Sequence, residues 1–462
     1  MISEKTVSPG PRHGTAAIPS SKSEAHRLMI LSALSDNSVT LACSGFSNDI
    51  IATADCLNAM GASILLDKKI GIVVDPCRNS SGRPEPPNRD TSGRVVPTRR
   101  DTLERPVSLH PDTPGRLIQT IPDTSGRPLL PCRDSGSTLR FLMPLCGALG
   151  ISACFEMSGR LPERPLAPFD EELEKHGMKL TKVRNRLYVE GRLNPGVYSL
   201  PGNVSSQYIS GLLMSLPSLY GDSRLTITGN IESADYIRMT TNALTVAGID
   251  YSREDRTFLI PGRQHYHMPD TYTIGGDWSG AAFFLCLGAL SPEGILVRGL
   301  DPDSKQGDKA ILDVLKLFGA NIDISAEGIF VKKGPLHGIT LDASGIPDLV
   351  PVISVIAAAA VGTTHIVNAG RLRLKESDRL KSTAALISGL GGMIVEEEDS
   401  LTIKGTGRLH GGRADSFSDH RIAMSAAVAS AICSNPVIIS DPDCVRKSFS
   451  DFWQVFDNLD KQ

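Results

Sequence analysis

The sequence predicts an α/β protein of two similar halves, each assembled from three copies of a unit of about 70 residues. Two interleaved periodicities carry that prediction. In the first, a helical pattern ends at a glycine and an alternating apolar strand follows, at Gly61, Gly177, Gly248, Gly319 and Gly391. Glycine just past a helix end accepts the left-handed conformation that stops the helix. These glycines lie 116, 71, 71 and 72 residues apart, so three of the four steps agree within one residue. In the second series a short polar cluster precedes a long helix rich in Ala and Leu. The clusters are Ser21-Lys22-Ser23, Ser135-Gly136-Ser137-Thr138, Ser205-Ser206-Gln207, Asp277-Trp278-Ser279, Ile346-Pro347-Asp348 and Ser418-Asp419-His420-Arg421. Counted from Lys22, Ser137, Ser206, Ser279, Asp348 and His420, the steps are 115, 69, 73, 69 and 72.

Each element has a physical reason. Helices of the second series are apolar nearly all round and should be buried. The glycine-ended helices alternate polar and apolar faces and should lie outside. Arg224 to Thr228 and Gly294 to Arg298 read as half-buried or buried strands. The longest apolar run, Leu349 to Val361, has 13 residues and contains Pro351 and Ser354. A membrane span needs ~20. Met1 to Ser21 is polar, carries Pro9, Pro11 and Pro19, and lacks the apolar stretch of a signal peptide. A cytoplasmic protein is expected.

The one long step has a visible cause. From Asn79 the chain runs in 11-residue blocks: Asn79–Arg89, Asp90–Arg100, Asp101–Pro111, Asp112–Pro122 and Asp123–Arg133. Gly82, Gly93, Gly115 and Gly126 share one block position, each followed by Arg. Four extra blocks supply 44 residues, which matches the excess of about 45 in that step. The segment is poor in core residues, so a loop insert at about 79–133 with little function is expected. The alternative is a basic peptide that recruits an anionic partner.

Charge narrows the function. The 48 basic and 51 acidic residues give a net charge of −3, without the basic excess a nucleic-acid binder needs. An anion site must therefore be a local concentration of Lys and Arg. Nine cysteines, an odd number with no Cys-x-x-Cys pair, fit buried free thiols and no zinc site; Cys146, Cys286 and Cys433 sit in apolar runs.

A helix N-terminus presents unpaired N–H groups and about half a positive charge. Several such ends converging between two domains would hold anions. Lys22, Arg27, Arg140 and Arg421 fall near these ends, and Arg160, Arg164, Lys375, Arg379 and Lys447 fall in polar strings. If Arg371 to Arg379 opens a helix, Lys375 and Arg379 share a face, and a bound anion would relieve their repulsion. Glu376 and Asp378 add carboxylates to the same string. Each signal also has a plain reading. Lys22 and Arg27 could be surface charges, Glu163-Arg164-Pro165 a loop ion pair, and Ser205-Ser206-Gln207 an N-cap. Asp348 could be a helix cap, His420 a hydrogen-bonded core histidine, and Arg371 to Arg379 a solvated charged face.

Together the strings are specific. Ser21-Lys22-Ser23 with Arg27, Ser135 to Arg140, Glu163-Arg164-Pro165, Val204 to Gln207, Ile346-Pro347-Asp348, Lys375 to Arg379, Asp419-His420-Arg421 and Lys447-Ser448-Phe449 resemble, in order and spacing, those of the EPSP synthases (3-phosphoshikimate 1-carboxyvinyltransferases). The resemblance covers the whole chain apart from the 11-residue blocks. It implies a two-domain inside-out α/β barrel of six repeated βαβαββ-like units, three per domain. The first domain would be 21–274, and the second 1–20 plus 275–462. The implied reaction moves the enolpyruvyl group of phosphoenolpyruvate to shikimate 3-phosphate, needs no cofactor or metal, and involves no nucleic acid or membrane; a monomer is expected. By the same resemblance, Lys22, Ser23, Arg27, Ser205, Ser206, Gln207, Ser233, Asp348, Arg371 and Lys375 would hold shikimate 3-phosphate. Lys22, Gly136, Arg164, Gln207, Arg379, Arg421 and Lys447 would hold phosphoenolpyruvate. Asp348, Glu376, Lys22 and His420 are the candidate acid–base groups, with Asp277 in support. A glycine at 136 leaves room for a ligand close to the backbone.

Three positions depart from the family pattern: Ser20 for a glycine at the hinge, Trp278 for a small residue, and Phe141 for a proline. Arg371 stands where some members have Asn. The sister transferases that act on UDP-N-acetylglucosamine carry a reactive Cys before the Arg-Pro pair; Ser158 to Glu163 holds none, and Cys154 lies earlier in an apolar strand.

Overall fold

Polar side chains start the inner helices and glycines stop the outer ones. The computed structural model describes residues 3–77 and 126–461, with the antiparallel pair Ser108–Leu109 and Leu117–Ile118 between them. Most of the expected insert, from 79 to 125, lies outside the described residues. The helices are α1 (Lys22–Leu34), α2 (Asn48–Met60), α3 (Gly136–Leu149), α4 (Phe169–Lys175), α5 (Ser206–Ser215), α6 (Ala234–Val246), α7 (Trp278–Leu290), α8 (Ile311–Phe318), α9 (Val350–Ala359), α10 (Arg379–Gly389), α11 (His420–Ala429) and α12 (Phe452–Asp457). Odd-numbered helices are the inner set. Ser21, Ser135, Ser205, Asp277 and Asp419 cap α1, α3, α5, α7 and α11 by accepting a backbone N–H of the first turn. Only α9 among the inner helices lacks a side-chain cap; a 3-10 turn, Pro347–Leu349, leads into it. All five glycines of the first series have φ between 69° and 109°.

The strands repeat one pattern. Val197–Pro201 runs parallel to Ser223–Thr228, which pairs antiparallel with Thr257–Ile260, and Ser252–Glu254 closes the sheet. The same order recurs in the sheet of Leu129–Arg133, Ala153–Met157, Arg186–Gly191 and Met178–Val183. It recurs again in Thr340–Asp342, Gly362–Val367, Leu401–Gly405 and Met393–Glu396. In chain order each of these units is βαβαββ. Two other units exchange their first strands. Arg12–Ala17 pairs with Ile295–Arg298, and Thr271–Thr273 pairs with Val39–Ala42. Glu4–Val7 likewise joins Val437–Ser440. The chain start is thus woven into the sheets of its second half.

The fold is inside-out: apolar helices at the centre, sheets and amphipathic helices around them. One apolar core gathers Ala25 to Ile274; the other gathers Val7, Ala16 and Ile18 with Trp278 to Leu459. Each fully buried Leu or Phe contributes about 1.5–3 kcal/mol. The inner helices pack closely: a Cβ at Gly211 of α5 would stand 2.4 Å from the Arg140 carbonyl of α3. The two lobes join where Ile18 to Ser21 and Ile274 to Asp277 run side by side, with Ser21 N–H donating to Gly275 O at 2.7 Å and Asp277 N–H to Pro19 O at 2.9 Å. Ser20, the hinge departure, has a use for its side chain: Oγ accepts from Ser44 N–H at 2.9 Å.

Two expectations need correction. Helix α2 is buried along nearly its whole length rather than lying outside. The strand Leu129–Arg133 covers it, and Arg133 pairs with Asp55 of α2 at 2.8 Å. For the same reason the last 11-residue block is not all loop, since its Leu130 and Cys132 are core residues. None of the nine cysteines is in a disulfide, and Cys146, Cys286 and Cys433 are buried. Among the described residues no helix is long and apolar enough to cross a membrane.

Candidate active site

The starts of all six inner helices open on one cavity where the lobes meet. Lys22 and Ser23 line it from α1, Gly136 and Ser137 from α3, and Ser206 and Gln207 from α5. Ser279 lines it from α7, Asp348 from the turn before α9, and His420 and Arg421 from α11. Eight cations face it (Lys22, Arg27, Arg140, Arg164, Arg371, Lys375, Arg379 and Arg421) against four carboxylates, Asp49, Asp277, Asp348 and Glu376. A chain of net charge −3 therefore carries a local excess of four positive charges, to which the helix starts add theirs.

The second-lobe wall is a network of ion pairs. Asp348 Oδ1 receives Arg379 Nη1 at 2.8 Å and Lys375 Nζ at 3.2 Å, and Oδ2 receives Arg421 Nη2 at 3.2 Å. Arg421 Nη1 also donates to the Asp348 carbonyl at 3.0 Å. Burial alone would raise the Asp348 carboxyl, but Arg421, Lys375 and Arg379 hold it well below the usual carboxylate range. Arg379, itself 1% exposed, donates to Glu376 Oε2 at 2.6 Å and to Asp419 Oδ2 at 2.8 Å. Glu376 is held low against burial by Arg379, Arg164 and Lys447.

Here two plain readings fail, and one expected helix with them. Asp348 makes no capping bond; its carboxylate is turned to three cations instead. His420 is 1% exposed, and neither ring nitrogen has a hydrogen-bond partner among the described residues. Burial pushes its pKa down to about 3. The Arg371 to Arg379 string is not one helix: α10 begins at Arg379, capped by Asp378, and Lys375 lies outside it. Lys375 and Arg379 meet through their shared carboxylate, not through helical spacing.

The first-lobe wall is built differently. Arg27, 2% exposed, spends its guanidinium on neutral oxygens: Thr240 Oγ1 at 2.7 Å, the Ser23 carbonyl at 2.6 Å, the Tyr236 carbonyl at 3.1 Å and Ser210 Oγ at 3.3 Å. It lies over the ring of Phe141, 5.0 Å from the centroid, which gives that departure from the family pattern a role in packing. Arg140 donates to Gln207 Oε1 at 2.8 Å, and Gln207 donates to Ser137 Oγ at 2.9 Å. Burial pushes both arginines down to about 10. Arg140 Nε and Arg164 Nε are buried without hydrogen-bond partners among the described residues. A Cβ at Gly136 would stand 2.6 Å from Arg140 Nη1 and 2.8 Å from Arg164 Nη1, so glycine there makes room for the two guanidinium groups.

The structure places every proposed site residue on this cavity except Lys447. That lysine lies just behind the wall, where Asp49 Oδ1 at 3.2 Å, Asp134 Oδ2 at 2.7 Å and the Asp134 carbonyl at 2.9 Å hold it; Ser448 lines the cavity beside it. Lys22 meets the same Asp49 at 2.9 Å, so one carboxylate joins lysines from both lobes. Arg371 likewise crosses between lobes to Glu232 at 2.8 Å and Ser233 Oγ at 3.4 Å. Sequence reasoning missed Asp49, Tyr208 and Tyr236, and gave Ser448 no role beyond its place in the string Lys447-Ser448-Phe449. Asp49 reads as an ordinary acidic residue in the first turn of α2. Tyr208 follows Gln207 directly and donates to the Pro165 carbonyl at 2.7 Å, so adjacency could have flagged it. Nothing local marks Tyr236.

Comparison with known proteins identifies the family. The sequence profile described as EPSP synthase (3-phosphoshikimate 1-carboxyvinyltransferase) matches residues 8–93 and 116–456, leaving unmatched only a stretch of the 11-residue blocks and the chain ends. A protein named 3-phosphoshikimate 1-carboxyvinyltransferase from Clostridium kluyveri is 36% identical over 98% of this chain and 96% of its own. One of the same name from Clostridium novyi is 44% identical over 71% of this chain and 76% of its own. A solved structure of EPSP synthase from Acinetobacter baumannii superimposes with a TM-score of 0.73 at 22% identity, covering 99% of this chain and 98% of that one.

Proposed function

The chain belongs to the EPSP synthase family, and on that premise we propose how its cavity works. The reaction transfers the enolpyruvyl group of phosphoenolpyruvate to the 5-hydroxyl of shikimate 3-phosphate and releases phosphate, a step of the shikimate pathway to chorismate and the aromatic amino acids. The observation that carries our reading is the Asp348 carboxylate, held ionised among Lys375, Arg379 and Arg421 on a cavity wall with surplus positive charge.

In the reaction the methylene carbon of phosphoenolpyruvate gains a proton while the 5-hydroxyl attacks its neighbour, giving a tetrahedral ketal. Phosphate then leaves and the methyl group gives up a proton. Asp348 accepts the hydroxyl proton. Its three cations depress its basicity; anionic substrates draw Arg379 and Arg421 towards themselves and restore it. Lys22 delivers the proton to the methylene carbon, and Glu376, held ionised, takes one from the methyl group in the second step. His420, neutral down to about pH 3, offers a hydrogen bond rather than a charge. Arg164, Arg379 and Arg421, with Lys447 behind them, take the carboxylate and phosphate of phosphoenolpyruvate, for which the guanidinium fork is suited. Ser23, Arg27, Ser205, Ser206, Ser233, Arg371 and Lys375 take shikimate 3-phosphate, and Gln207 and Lys22 stand where both substrates pass.

The two lobes act as domains of 21–274 and of 1–20 plus 275–462, which close on the substrates and replace water around them with fixed dipoles. The protein works in the cytoplasm as a monomer. Phosphate release from phosphoenolpyruvate tests the reading: it is expected with shikimate 3-phosphate as co-substrate. Release with UDP-N-acetylglucosamine alone would overturn it.

A further inference from the structure

One buried carboxyl next to the cavity has no part in the scheme above. Asp308, in the 3-10 turn Gly307–Ala310, is 1% exposed. Its Oδ2 accepts the hydroxyl of Ser279 and, at 3.4 Å, that of Tyr236 from the other lobe. Its Oδ1 is buried with no partner among the described residues. Ser279 and Tyr236 both line the cavity; Asp308 does not. We propose that Asp308 is a positioning residue for the transfer reaction, and that its protonation state decides whether Ser279 presents a hydrogen or a lone pair to the substrates.

A serine has one hydrogen to give. While Asp308 is ionised it takes that hydrogen, and Ser279 can only accept from the cavity. Once Asp308 is protonated its own O–H donates to Ser279 Oγ, and the serine hydrogen is released towards the cavity. Anionic substrates need donors, so their binding favours the protonated state and draws a proton from solvent. The charged and titratable groups facing Asp308 are Asp348, Asp277, Arg421 and Tyr236. Burial and the charge of Asp348 raise its pKa, Arg421 opposes them, and the result is about 6. An ionised carboxylate with one unpaired buried oxygen is costly, which keeps protonation within reach near neutral pH.

The inference rests on the proposed function only for its kinetic arm. In that arm, kcat/KM for phosphoenolpyruvate is measured at saturating shikimate 3-phosphate from pH 5.5 to 8.5. Titration of the substrates' own phosphates is common to every variant and cancels. The ratio of wild-type to variant kcat/KM should show a break near pH 6, both for Asp308→Asn and for Ser279→Ala. At pH 8 the amide of Asp308→Asn donates permanently to Ser279, so its KM should fall about two- to tenfold with kcat little changed. A ratio that stays flat across the range for either variant overturns the proposal. The second arm uses no substrate. Because the folded pKa is raised, the wild type should lose stability relative to Asp308→Asn as pH rises from about 4 to 6, and no further above. Parallel urea-unfolding profiles would overturn the proposal even in a protein that releases no phosphate. If Asp308→Asn does not fold, the Ser279→Ala pH profile decides alone.

Discussion

The two walls of the cavity carry their positive charge in opposite ways. On the second-lobe wall every buried guanidinium is matched: Arg379 by Asp348, Glu376 and Asp419, and Arg421 by Asp348. On the first-lobe wall Arg27 and Arg140 are buried against hydroxyls, carbonyls and an amide, with no carboxylate among the described residues bonded to either. The consequence shows in their pKa values, pushed down to about 10 by burial for Arg27 and Arg140 but raised against burial for Arg379 and Arg421. The first wall thus offers cations bonded to neutral acceptors, which suit an anion. The second is a preorganised charge network that chemistry can perturb.

That contrast can be broken by mutation. The largest effect is expected at Asp348, where Asp348→Asn should lower kcat about 10²- to 10⁴-fold while substrate binding holds. A variant that loses affinity but keeps turnover would make the second wall a binding surface only. Next comes stability. Arg379→Met strands the buried Asp419, removes one cation each from the half-buried Glu376 and Asp348, and should cost about 3–5 kcal/mol in urea unfolding. Arg27→Met strands no charge, so its unfolding free energy should change by less than about 1 kcal/mol, while affinity for shikimate 3-phosphate falls. Similar losses of stability in both variants would erase the distinction. Arg421→Ala should weaken phosphoenolpyruvate binding about 10- to 100-fold, the value of a charge-assisted hydrogen bond.

The smallest effect concerns pH. Burial pushes His26 and His420 from an ordinary 6.5 down to about 3. The folded state therefore binds fewer protons than the unfolded chain between about pH 6.5 and 3. Stability present above 6.5 is lost as pH falls, at up to about 1.4 kcal/mol per unit for each histidine. Replacing His26, whose Nδ1 sits 2.7 Å from Thr53 Oγ1, with Leu should reduce that slope between pH 6.5 and 5. An unchanged slope would mean the histidines do not govern it.

Much of this was legible in the residues. The period of about 70 is visible because each unit needs a stop glycine and a capped apolar helix, and both leave local marks. The cavity was legible for a related reason, since its groups sit on those caps and first turns. What local pattern cannot carry is partnership across the fold. Asp348 looked like a cap because it precedes a helix; only the fold brings Lys375, Arg379 and Arg421 to it. Asp49 and Tyr236 are ordinary in sequence and acquire meaning from the opposite lobe. The exchange of the strands Arg12–Ala17 and Thr271–Thr273 is likewise a pairing that no single stretch announces. Helix α2 was misplaced because its polar face meets Arg133 rather than water.

A crystal structure with shikimate 3-phosphate and phosphoenolpyruvate both bound tests the division of labour most directly. The 3-phosphate should rest on the first-lobe serines with Arg27 behind them. The carboxylate of phosphoenolpyruvate should draw Arg379 and Arg421 away from Asp348, leaving that carboxylate beside the 5-hydroxyl. Substrates bound with the Asp348 ion pairs unchanged, or anions seated away from these two walls, would contradict the account.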